Sequence, residues 1–549
     1  MSNHQSAANT PSMETPAPPR STPSRRPIVI ALAVGIALSL AALLLQAHAG
    51  AYQSEFGAHA DEPAHVVTGM MVRDYLAGGM LEGTSPMKFA RDYYERYPKV
   101  ALGHYPPAFY VIEGIWLIPS RSPAATLVLM AVMAATAAFL TWRAALHHDL
   151  PHSLAWIPAA LFITHPLVRI YTAIVMSDLL LVIFCLLATG AWRRFLGSSS
   201  TRDALTFGLW AAAAILTKGS GLFLALLPPL SIALSGKWQL LKSRSLWLAP
   251  IPVIVLAMPW MVATRHITAE GMSHVPLPEY IAGAIPFFAR NLIGEFGWIA
   301  CLLTLAACAC AAILALRGRP VDDSTACHVA IIVGLLVFYI AIPSGLDARY
   351  FLPLVPSLFL LVTDAARRLA DLIAGRLSPA SPPPQRTTIA TAGTCLLAAA
   401  IWLESTRPVS KSFGGYAEVI GAIAAEPSDL AGGEQIDILV ASAPHGEGSA
   451  ITAAVFSPDA PIRIHRSTKA LIDTDWLGRE PRPVAPAGEE LWRHVRELGI
   501  EWILLEEIDG QPQVELLEQS LPSGLESSSH TIRLKNGVTH QLRRIRVPG

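Results

Sequence analysis

Residues 28–47 read IVIALAVGIALSLAALLLQA, an apolar run without a single charged side chain. A helix needs about 20 mainly apolar residues to cross the hydrocarbon core of a bilayer, so this run predicts a first membrane span. A cleaved signal peptide is the alternative, because Ala47-His48-Ala49 is similar to a cleavage site. However, the apolar run exceeds the usual length of about 7–15 residues, and more apolar runs follow. We therefore expect a membrane anchor, preceded by a disordered cytoplasmic tail over residues 1–26.

The composition of the whole chain is typical of a protein that lies mostly in a membrane. Of the 549 residues, 52% are hydrophobic and 15% are charged, whereas soluble domains carry roughly 25% charged residues. Lys plus Arg and Asp plus Glu number 41 each, which excludes a general nucleic-acid binder because such a protein needs basic excess. The six cysteines lie almost entirely in apolar runs, so neither a disulfide scaffold nor a thiolate zinc site is expected.

Ten further apolar runs predict a polytopic α-helical membrane protein with about eleven spans in total. These runs lie near residues 124–146, 152–168, 172–192, 203–217, 219–235, 246–263, 292–316, 326–344, 350–366 and 388–404. The apolar stretch Pro106–Pro119 is too short to cross a membrane, and we expect an interfacial or re-entrant segment there.

Basic residues predict the orientation, because cytoplasmic loops carry an excess of Lys and Arg. With a cytoplasmic N-terminus, 16 of the 27 Lys and Arg residues before residue 405 lie at cytoplasmic ends. Six lie in or beside the first outer loop, and five are scattered singly over the other outer ends. We therefore predict a multi-pass protein of the cytoplasmic (inner) membrane. An odd number of spans places its C-terminus on the periplasmic, extracytoplasmic side.

Residues 405–549 follow the predicted transmembrane domain, residues 27–404, and contain no run of membrane-spanning length. Ile436–Ala441 and Trp502–Glu506 are predicted to be buried strands, with an amphipathic helix over Glu489–Leu498 between them. The pattern predicts a small soluble α/β domain outside the membrane. It has no evident catalytic constellation, so we expect a structural or acceptor-guiding role.

The first outer loop, residues 50–105, holds the most suggestive group of polar residues, Asp61-Glu62-Pro63-Ala64-His65. Pro63 suits the first turn of a helix, which places Asp61 and Glu62 at a helix N-terminus. Two interpretations remain open: helix capping, or a general base held just above the membrane plane. Asp61 and His65 also have the i, i+4 spacing of two metal ligands, which is a weak signal.

The loop closes with His104-Tyr105-Pro106-Pro107-Ala108-Phe109-Tyr110. The prolines favour an extended entry into the next segment, and the aromatic side chains suit a membrane interface. One interpretation is an interfacial anchor. The other is that His104 lies where an anionic headgroup binds.

Asp178 lies a few residues inside a predicted span. An ionisable group is costly there, so it is a functional hypothesis by default. The alternative is a carboxylate near the membrane surface that pairs with Arg169.

Lys218 and Arg349 stand at predicted outer ends of spans, against the positive-inside trend. Each therefore needs a negative partner. That partner could be a lipid headgroup or, for Arg349, the nearby Asp347. A bound phosphate or pyrophosphate is the more specific hypothesis.

Taken together, these features resemble the GT-C glycosyltransferases that use polyprenyl-phosphate sugars. They are most similar to the protein O-mannosyltransferase-like and lipid A aminoarabinose transferase-like enzymes of glycosyltransferase family 39. The resemblance covers most of residues 27–404, and Tyr105 departs from it, because Lys is common at that place. The matching motifs are Asp61-Glu62, His104-Tyr105-Pro106-Pro107, Ser177-Asp178, Thr217-Lys218-Gly219, and Arg349-Tyr350 with Pro353 and Pro356.

The resemblance implies transfer of a hexosyl or pentosyl group from a polyprenyl-phosphate donor to a hydroxyl of a lipid, glycan or protein, by inverting single displacement. It implies Asp61 and Glu62 as catalytic residues. It implies donor phosphate or substrate contacts from His104, Tyr105, Asp178, Lys218, Arg349 and Tyr350. A divalent metal ion stays open, with Asp61 and His65 as weak candidate ligands. The sugar, carrier length and acceptor are not defined by the sequence.

Two other functions stay open. A protein of this fold could have lost its chemistry and serve in envelope assembly, for which Tyr105 in place of Lys is the sequence signal. A transporter or flippase for lipid-linked sugars would show repeated halves and charges near the membrane midplane. The sequence shows no such repeat, and its polar residues cluster at the outer edge.

Overall fold

The structure, a computed structural model, describes residues 26–148, 150–377, 382–411, 414–425, 435–457, 462–473, 481–533 and 537–548. Residues 1–25, which hold almost all of the predicted disordered tail, lie outside the described residues.

The described part of the chain up to residue 405 is mostly helical. In chain order the helices are α1 (Arg26–His48), α2 (Glu62–Asp74), α3 (Pro86–Arg96), α4 (Ala108–Trp116), α5 (Pro123–Leu146), α6 (Ile157–Thr164), α7 (Pro166–Ala173), α8 (Asp178–Ser198), α9 (Thr201–Thr217), α10 (Leu227–Ser235), α11 (Arg244–Leu248), α12 (Met258–Ala263), α13 (Arg265–Glu270), α14 (Leu277–Leu316), α15 (Asp323–Ala341), α16 (Val355–Leu377) and α17 (Pro383–Ser405). Short 3₁₀ or π turns cover Ala51–Gln53, Tyr75–Gly79, Gly219–Leu226, Trp238–Lys242, Val253–Ala257 and Ala348–Leu354.

Among the described residues, eight helical stretches are long and apolar enough to cross a membrane. They are Ile28–His48, Pro123–Leu146, Asp178–Ser198, Arg244–Ala263, Leu277–Leu316, Asp323–Ala341, Ala348–Arg376 and Pro384–Ser405. The other predicted runs, residues 152–168, 203–217 and 219–235, form shorter helices. The predicted multi-pass helical architecture is therefore confirmed, while α4, with 9 residues, is too short to cross a bilayer.

Helix α14 begins well before the predicted run at residue 292 and contains a break at Gly297. This glycine has φ +77° and ψ 168°, a conformation that a side chain would oppose. The turn after the break is stabilised by Glu404, whose carboxylate accepts the backbone N–H groups of Trp298 and Ile299 at 2.7 and 3.1 Å. The last span thus caps the second half of α14.

The C-terminal domain contains the predicted α/β structure, and both predicted strands are confirmed. Its elements are α18 (Tyr416–Ala425), β1 (Ile436–Ala441), α19 (Pro444–Val455), β2 (Ile462–Arg466), α20 (Ser467–Ala470), β3 (Ile472–Asp473), β4 (Arg482–Pro483), α21 (Glu489–Glu497), β5 (Trp502–Glu506), α22 (Pro512–Glu518), β6 (Ser527–Arg533) and β7 (Thr539–Arg546). The main sheet has the order β2-β1-β5-β7-β6. Strand β1 is parallel to β2 and β5, and β7 is antiparallel to β5 and β6.

The C-terminal domain packs against the first loop, which connects α1 to α5 and contains α2, α3 and α4. The Glu55 carboxylate accepts the N–H groups of residues 415, 416 and 417 at the start of α18. Helix α19 lies against α2, where a side chain on Gly448 would collide with Pro63. This packing encloses the N-terminus of α2.

Candidate active site

Four segments that are far apart in the sequence bring charged side chains together near the N-terminus of α2. Asp61 immediately precedes α2, and Asp178 begins α8. Lys218 follows α9, and Arg349 lies in the 3₁₀ turn before α16. The predicted residues Asp61, Asp178, Lys218 and Arg349 are therefore parts of one cluster.

Asp61 occupies the N-cap position, but its side chain caps nothing. Its Oδ2 atom instead accepts from Arg349 Nη1 at 2.9 Å and from the Tyr105 hydroxyl at 3.0 Å. Burial alone would raise the pKa of the Asp61 carboxyl, but the nearby Arg349 charge outweighs it and lowers that pKa below its usual range. With 34% of its side chain exposed, Asp61 is an ionised carboxylate that solvent can reach.

Arg349 connects Asp61 to a second carboxylate, Asp347. The Arg349 Nε atom lies 3.2 Å from Asp347 Oδ2, and the Arg349 backbone N–H donates to Asp347 Oδ1 at 2.9 Å. His59 lies 3.8 Å from both Asp61 Oδ2 and Asp347 Oδ2. The pairing of Arg349 with Asp347 that the sequence left open is present, together with the stronger contact to Asp61.

Asp178 pairs with Lys218, so the alternative pairing with Arg169 is wrong. The Lys218 Nζ atom donates to Asp178 Oδ1 at 2.7 Å, and the two side chains are only 9% and 2% exposed. The Lys218 ammonium also lies 5.2 Å from the centre of the Tyr350 ring, which in turn stacks on Tyr339 at 4.3 Å. Among the described residues, Asp178 Oδ2 has no hydrogen-bond partner although it is buried.

Glu62 is completely buried and holds three segments together. Its Oε1 atom accepts from Lys411 Nζ at 2.6 Å and from the Val175 N–H at 3.1 Å. Its Oε2 atom accepts the Ala58 N–H at 2.9 Å. Lys411 belongs to the segment between the last span and the C-terminal domain, and its side chain is 2% exposed. These contacts fix the start of α2 relative to the residues that lead into α8.

His65 lies one turn after Asp61, inside an aromatic cage. The Tyr110 hydroxyl lies 2.9 Å from His65 Nδ1, and the Tyr105 ring meets the imidazole edge-on at 4.6 Å. Burial lowers the pKa of His65 to about 3, so the ring is neutral. Over the described ranges, no three His, Cys, Asp or Glu side chains are grouped as metal ligands. Asp61 and His65 are only two candidate ligands, fewer than a zinc site takes from a protein, so this pair alone does not build a metal site.

His104 lies at the edge of the cluster rather than within it. It is half-buried and hydrogen-bonds to the backbone of Ile267, in α13. Tyr350, by contrast, is part of the cluster, and its hydroxyl donates to the Ser344 carbonyl at 3.0 Å.

Two residues of the site, His59 and Lys411, were missed by the sequence analysis, and Asp347 was named there only as a possible partner of Arg349. His59 lies two residues from Asp61, so its proximity was a usable signal. Lys411 lies 349 positions from Glu62, and no local pattern marks it.

The arrangement combines two chemical abilities. Asp61 is a partly exposed, ionised carboxylate that can accept a proton. Lys218 donates to Asp178, and an ammonium has three N–H donors, so further donors are available to an anion. The two functions lie side by side, because Arg349 and Lys218 both contact the Tyr350 ring, with Arg349 Cζ 5.6 Å from its centre.

No protein-family model matches the sequence, and no curated protein sequence matches it significantly. Several solved structures, in contrast, are similar to this chain. The crystal structure of ArnT from Cupriavidus metallidurans bound to undecaprenyl phosphate superposes with a TM-score of 0.52 at 13% identity, covering 96% of this chain and 99% of that chain. Apo ArnT from the same organism gives 0.49 at 14% identity, over 80% of this chain and 85% of that chain.

A cryo-EM structure of the arabinofuranosyltransferase AftD from Mycobacteria gives a TM-score of 0.44 at 14% identity, over 96% of this chain and 40% of that chain. The superposition on undecaprenyl phosphate-bound ArnT extends over nearly the full length of both chains. The fold of this chain is therefore similar to that of ArnT, and the predicted GT-C-type fold is confirmed.

Proposed function

We propose that this protein is an integral-membrane glycosyltransferase that moves a sugar from a polyprenyl-phosphate donor to an acceptor hydroxyl. The observation that carries the proposal is the convergence of two ion pairs, Asp61–Arg349 and Asp178–Lys218, on the ring of Tyr350. One pair offers a partly exposed base and the other offers cationic donors for a phosphate. The ArnT structure with undecaprenyl phosphate supports the choice of donor, because it has the same fold.

Asp61 is the proposed general base. Its carboxylate takes the proton from the acceptor hydroxyl while the hydroxyl oxygen forms a bond to the anomeric carbon of the sugar. General-base assistance of this kind contributes about 10²–10⁴-fold to a rate. We assign the role to Asp61 alone, because both oxygens of Glu62 are already bound by Lys411 and backbone N–H groups.

The bond that breaks joins the anomeric carbon to the phosphate oxygen, and the polyprenyl phosphate leaves with the electron pair. Lys218 and Arg349 are proposed to stabilise the charge that develops on this phosphate. Fixed cationic donors at that place lower the barrier because they act where water is largely excluded. Tyr350, within the cluster, and His104, at its edge, are proposed to contact the donor.

One displacement at the anomeric carbon inverts its configuration and needs no covalent sugar–enzyme intermediate. The acceptor class we propose is a lipid, glycan or protein hydroxyl.

We also propose an orientation. The N-terminus lies in the cytoplasm, and the cluster and the C-terminal domain lie on the periplasmic side of the inner membrane. The distribution of Lys and Arg supports this orientation. A donor that stays in the membrane by its lipid tail would then reach the site without leaving the bilayer.

The test is consumption of labelled polyprenyl-phosphate sugars by membranes that contain wild type or Asp61→Asn, with native envelope lipids and glycans as acceptors. We expect the wild type to consume one donor of the panel and Asp61→Asn to be slower by about 10²–10⁴-fold. Asp74→Asn is the matched control, because Asp74 lies in the same loop but pairs with Arg73 and Arg121. Equal rates for wild type and Asp61→Asn would refute the assignment of the base. No consumption of any donor by the wild type would refute the proposed reaction.

A further inference from the structure

Tyr105 stands where the resembling enzymes commonly have Lys, and the structure gives it a different task from binding phosphate. Its hydroxyl donates to Asp61 Oδ2 at 3.0 Å, and the same oxygen accepts from Arg349 Nη1 at 2.9 Å. Among the described residues, no hydrogen bond to Asp61 Oδ1 is present. One oxygen of the carboxylate is thus held from two sides, and the other is open.

The position of the Tyr105 hydroxyl is fixed by the turn that carries it. The Tyr105 N–H donates to the Ala101 carbonyl at 2.9 Å, across a turn in which Gly103 has φ +105°. The Ala101 N–H in turn donates to the Thr68 hydroxyl, on α2, at 2.7 Å. The turn and the helix that follows Asp61 are therefore tied together, so the hydroxyl approaches the carboxylate in a defined direction.

The Tyr105 hydroxyl also keeps its proton, so it remains a hydrogen-bond donor. Burial raises the pKa of Tyr105 well above its usual value, and the nearby Asp61 charge raises it further. The phenol therefore stays protonated. The charged and titratable groups around Asp61 and Tyr105 are His59, His65, Lys99, His104, Tyr110, Tyr171, Asp178, Lys218, Asp347 and Arg349.

We propose that Tyr105 is a positioning residue: together with Arg349 it holds Oδ2 of Asp61 and leaves Oδ1 as the atom that takes the acceptor proton. This inference rests on the proposed function for the identity of the reaction. It adds which oxygen is the base and why a tyrosine, rather than a lysine, can stand at this place. A lysine would bring a second formal charge next to Arg349, whereas a phenol supplies a hydrogen bond without one.

Tyr105→Phe removes the hydroxyl and keeps the ring that packs on His65. We expect kcat to fall about tenfold, because a hydrogen bond to a charged group contributes more than a neutral one. The KM for the donor should stay within about twofold, because Lys218 and Arg349 are unchanged. The acidic limb of the pH–rate profile should move to higher pH, because a carboxylate that loses a donor is protonated more easily.

Tyr93→Phe is the matched control. The Tyr93 hydroxyl donates to the Asp74 carboxylate at 3.3 Å in the same loop, so it loses the same kind of bond away from Asp61, and its pH profile should not move. A higher donor KM with an unmoved acidic limb in Tyr105→Phe would show a phosphate contact and overturn the proposal. So would a Tyr105→Lys variant that binds the donor more tightly and keeps its kcat.

A second measurement does not depend on turnover. The infrared carboxyl band that is absent from Asp61→Asn reports the protonation of Asp61. We expect that band to appear at higher pH in Tyr105→Phe than in the wild type, and an identical titration would overturn the proposal. An inactive wild type whose Asp61 titration still responds to Tyr105→Phe would refute the reaction but not the positioning role.

Discussion

The buried ion pair between Glu62 and Lys411 should be essential to the fold around Asp61. The two side chains are 0% and 2% exposed and lie 2.6 Å apart. Removing one charge leaves the other buried without a partner, which costs about 3–5 kcal/mol. We therefore expect Glu62→Gln and Lys411→Met each to lower the free energy of unfolding by about 3–5 kcal/mol.

The double variant should be more stable than either single variant, because it buries no unpaired charge. In the wild type the Ala58 and Val175 N–H groups each donate to a different oxygen of Glu62. Gln keeps only one of these two acceptor oxygens, so one N–H group loses its partner. One unpaired backbone donor costs about 1–3 kcal/mol. The coupling free energy between the two positions should therefore be about 3 kcal/mol or more.

The assay is a denaturant titration of the purified protein in mixed micelles, followed by tryptophan fluorescence, for the four members of the cycle. The matched control is the cycle of Lys237→Met and Asp323→Asn, whose charged atoms lie at a similar distance, 2.7 Å, but whose side chains are 28% and 25% exposed. Such a pair should couple by less than about 1 kcal/mol. A coupling free energy for Glu62 and Lys411 no larger than that of the control would show that burial does not strengthen this ion pair.

Three further variants test other parts of the structure. Lys218→Met leaves the Asp178 carboxylate buried and unpaired, so it should destabilise the protein by about 3–5 kcal/mol. Lys218→Met/Asp178→Asn should recover most of that loss in the same titration. Gly297→Ala should lower the unfolding free energy by about 1–2 kcal/mol because of the positive φ alone. The loss should be larger still, because the new Cβ would lie 2.5 Å from the Glu404 carboxyl carbon. A thermal midpoint equal to that of the wild type would contradict this expected destabilisation. Gly69→Ala should destabilise the protein by about 1–3 kcal/mol, because the new methyl group would collide with the side chain of the buried Glu113. Unchanged thermal unfolding would contradict this and show that α2 and α4 can move apart.

Local sequence patterns predicted the membrane helices, two of the strands and the start of α2. Hydrophobic run lengths predicted the membrane helices, and two short, mainly apolar runs predicted the buried strands β1 and β5. Pro63 marked the start of α2, so Asp61 was correctly placed at a helix N-terminus. The resemblance to GT-C enzymes brought the separate polar motifs into one expected site.

Long-range pairing could not be predicted in the same way. Glu62 is buried against Lys411, and Asp178 binds Lys218 rather than Arg169, because only the packed helices decide which charges meet. The first half of α14 was missed because Pro286 and polar residues interrupt its apolar pattern. The bond from Tyr105 to Asp61 was missed for a related reason: a departure from a family motif shows that a contact is lost, but not which new contact replaces it.

The proposed reaction is a single displacement at the anomeric carbon in which Asp61 is the base. The most direct measurement is the anomeric configuration of the transferred sugar, determined by NMR and compared with the configuration in the polyprenyl-phosphate donor. We predict inversion, with one polyprenyl phosphate released for each sugar transferred. Retention of configuration would contradict the account, because it would require a second displacement and a covalent or equivalent intermediate on the protein.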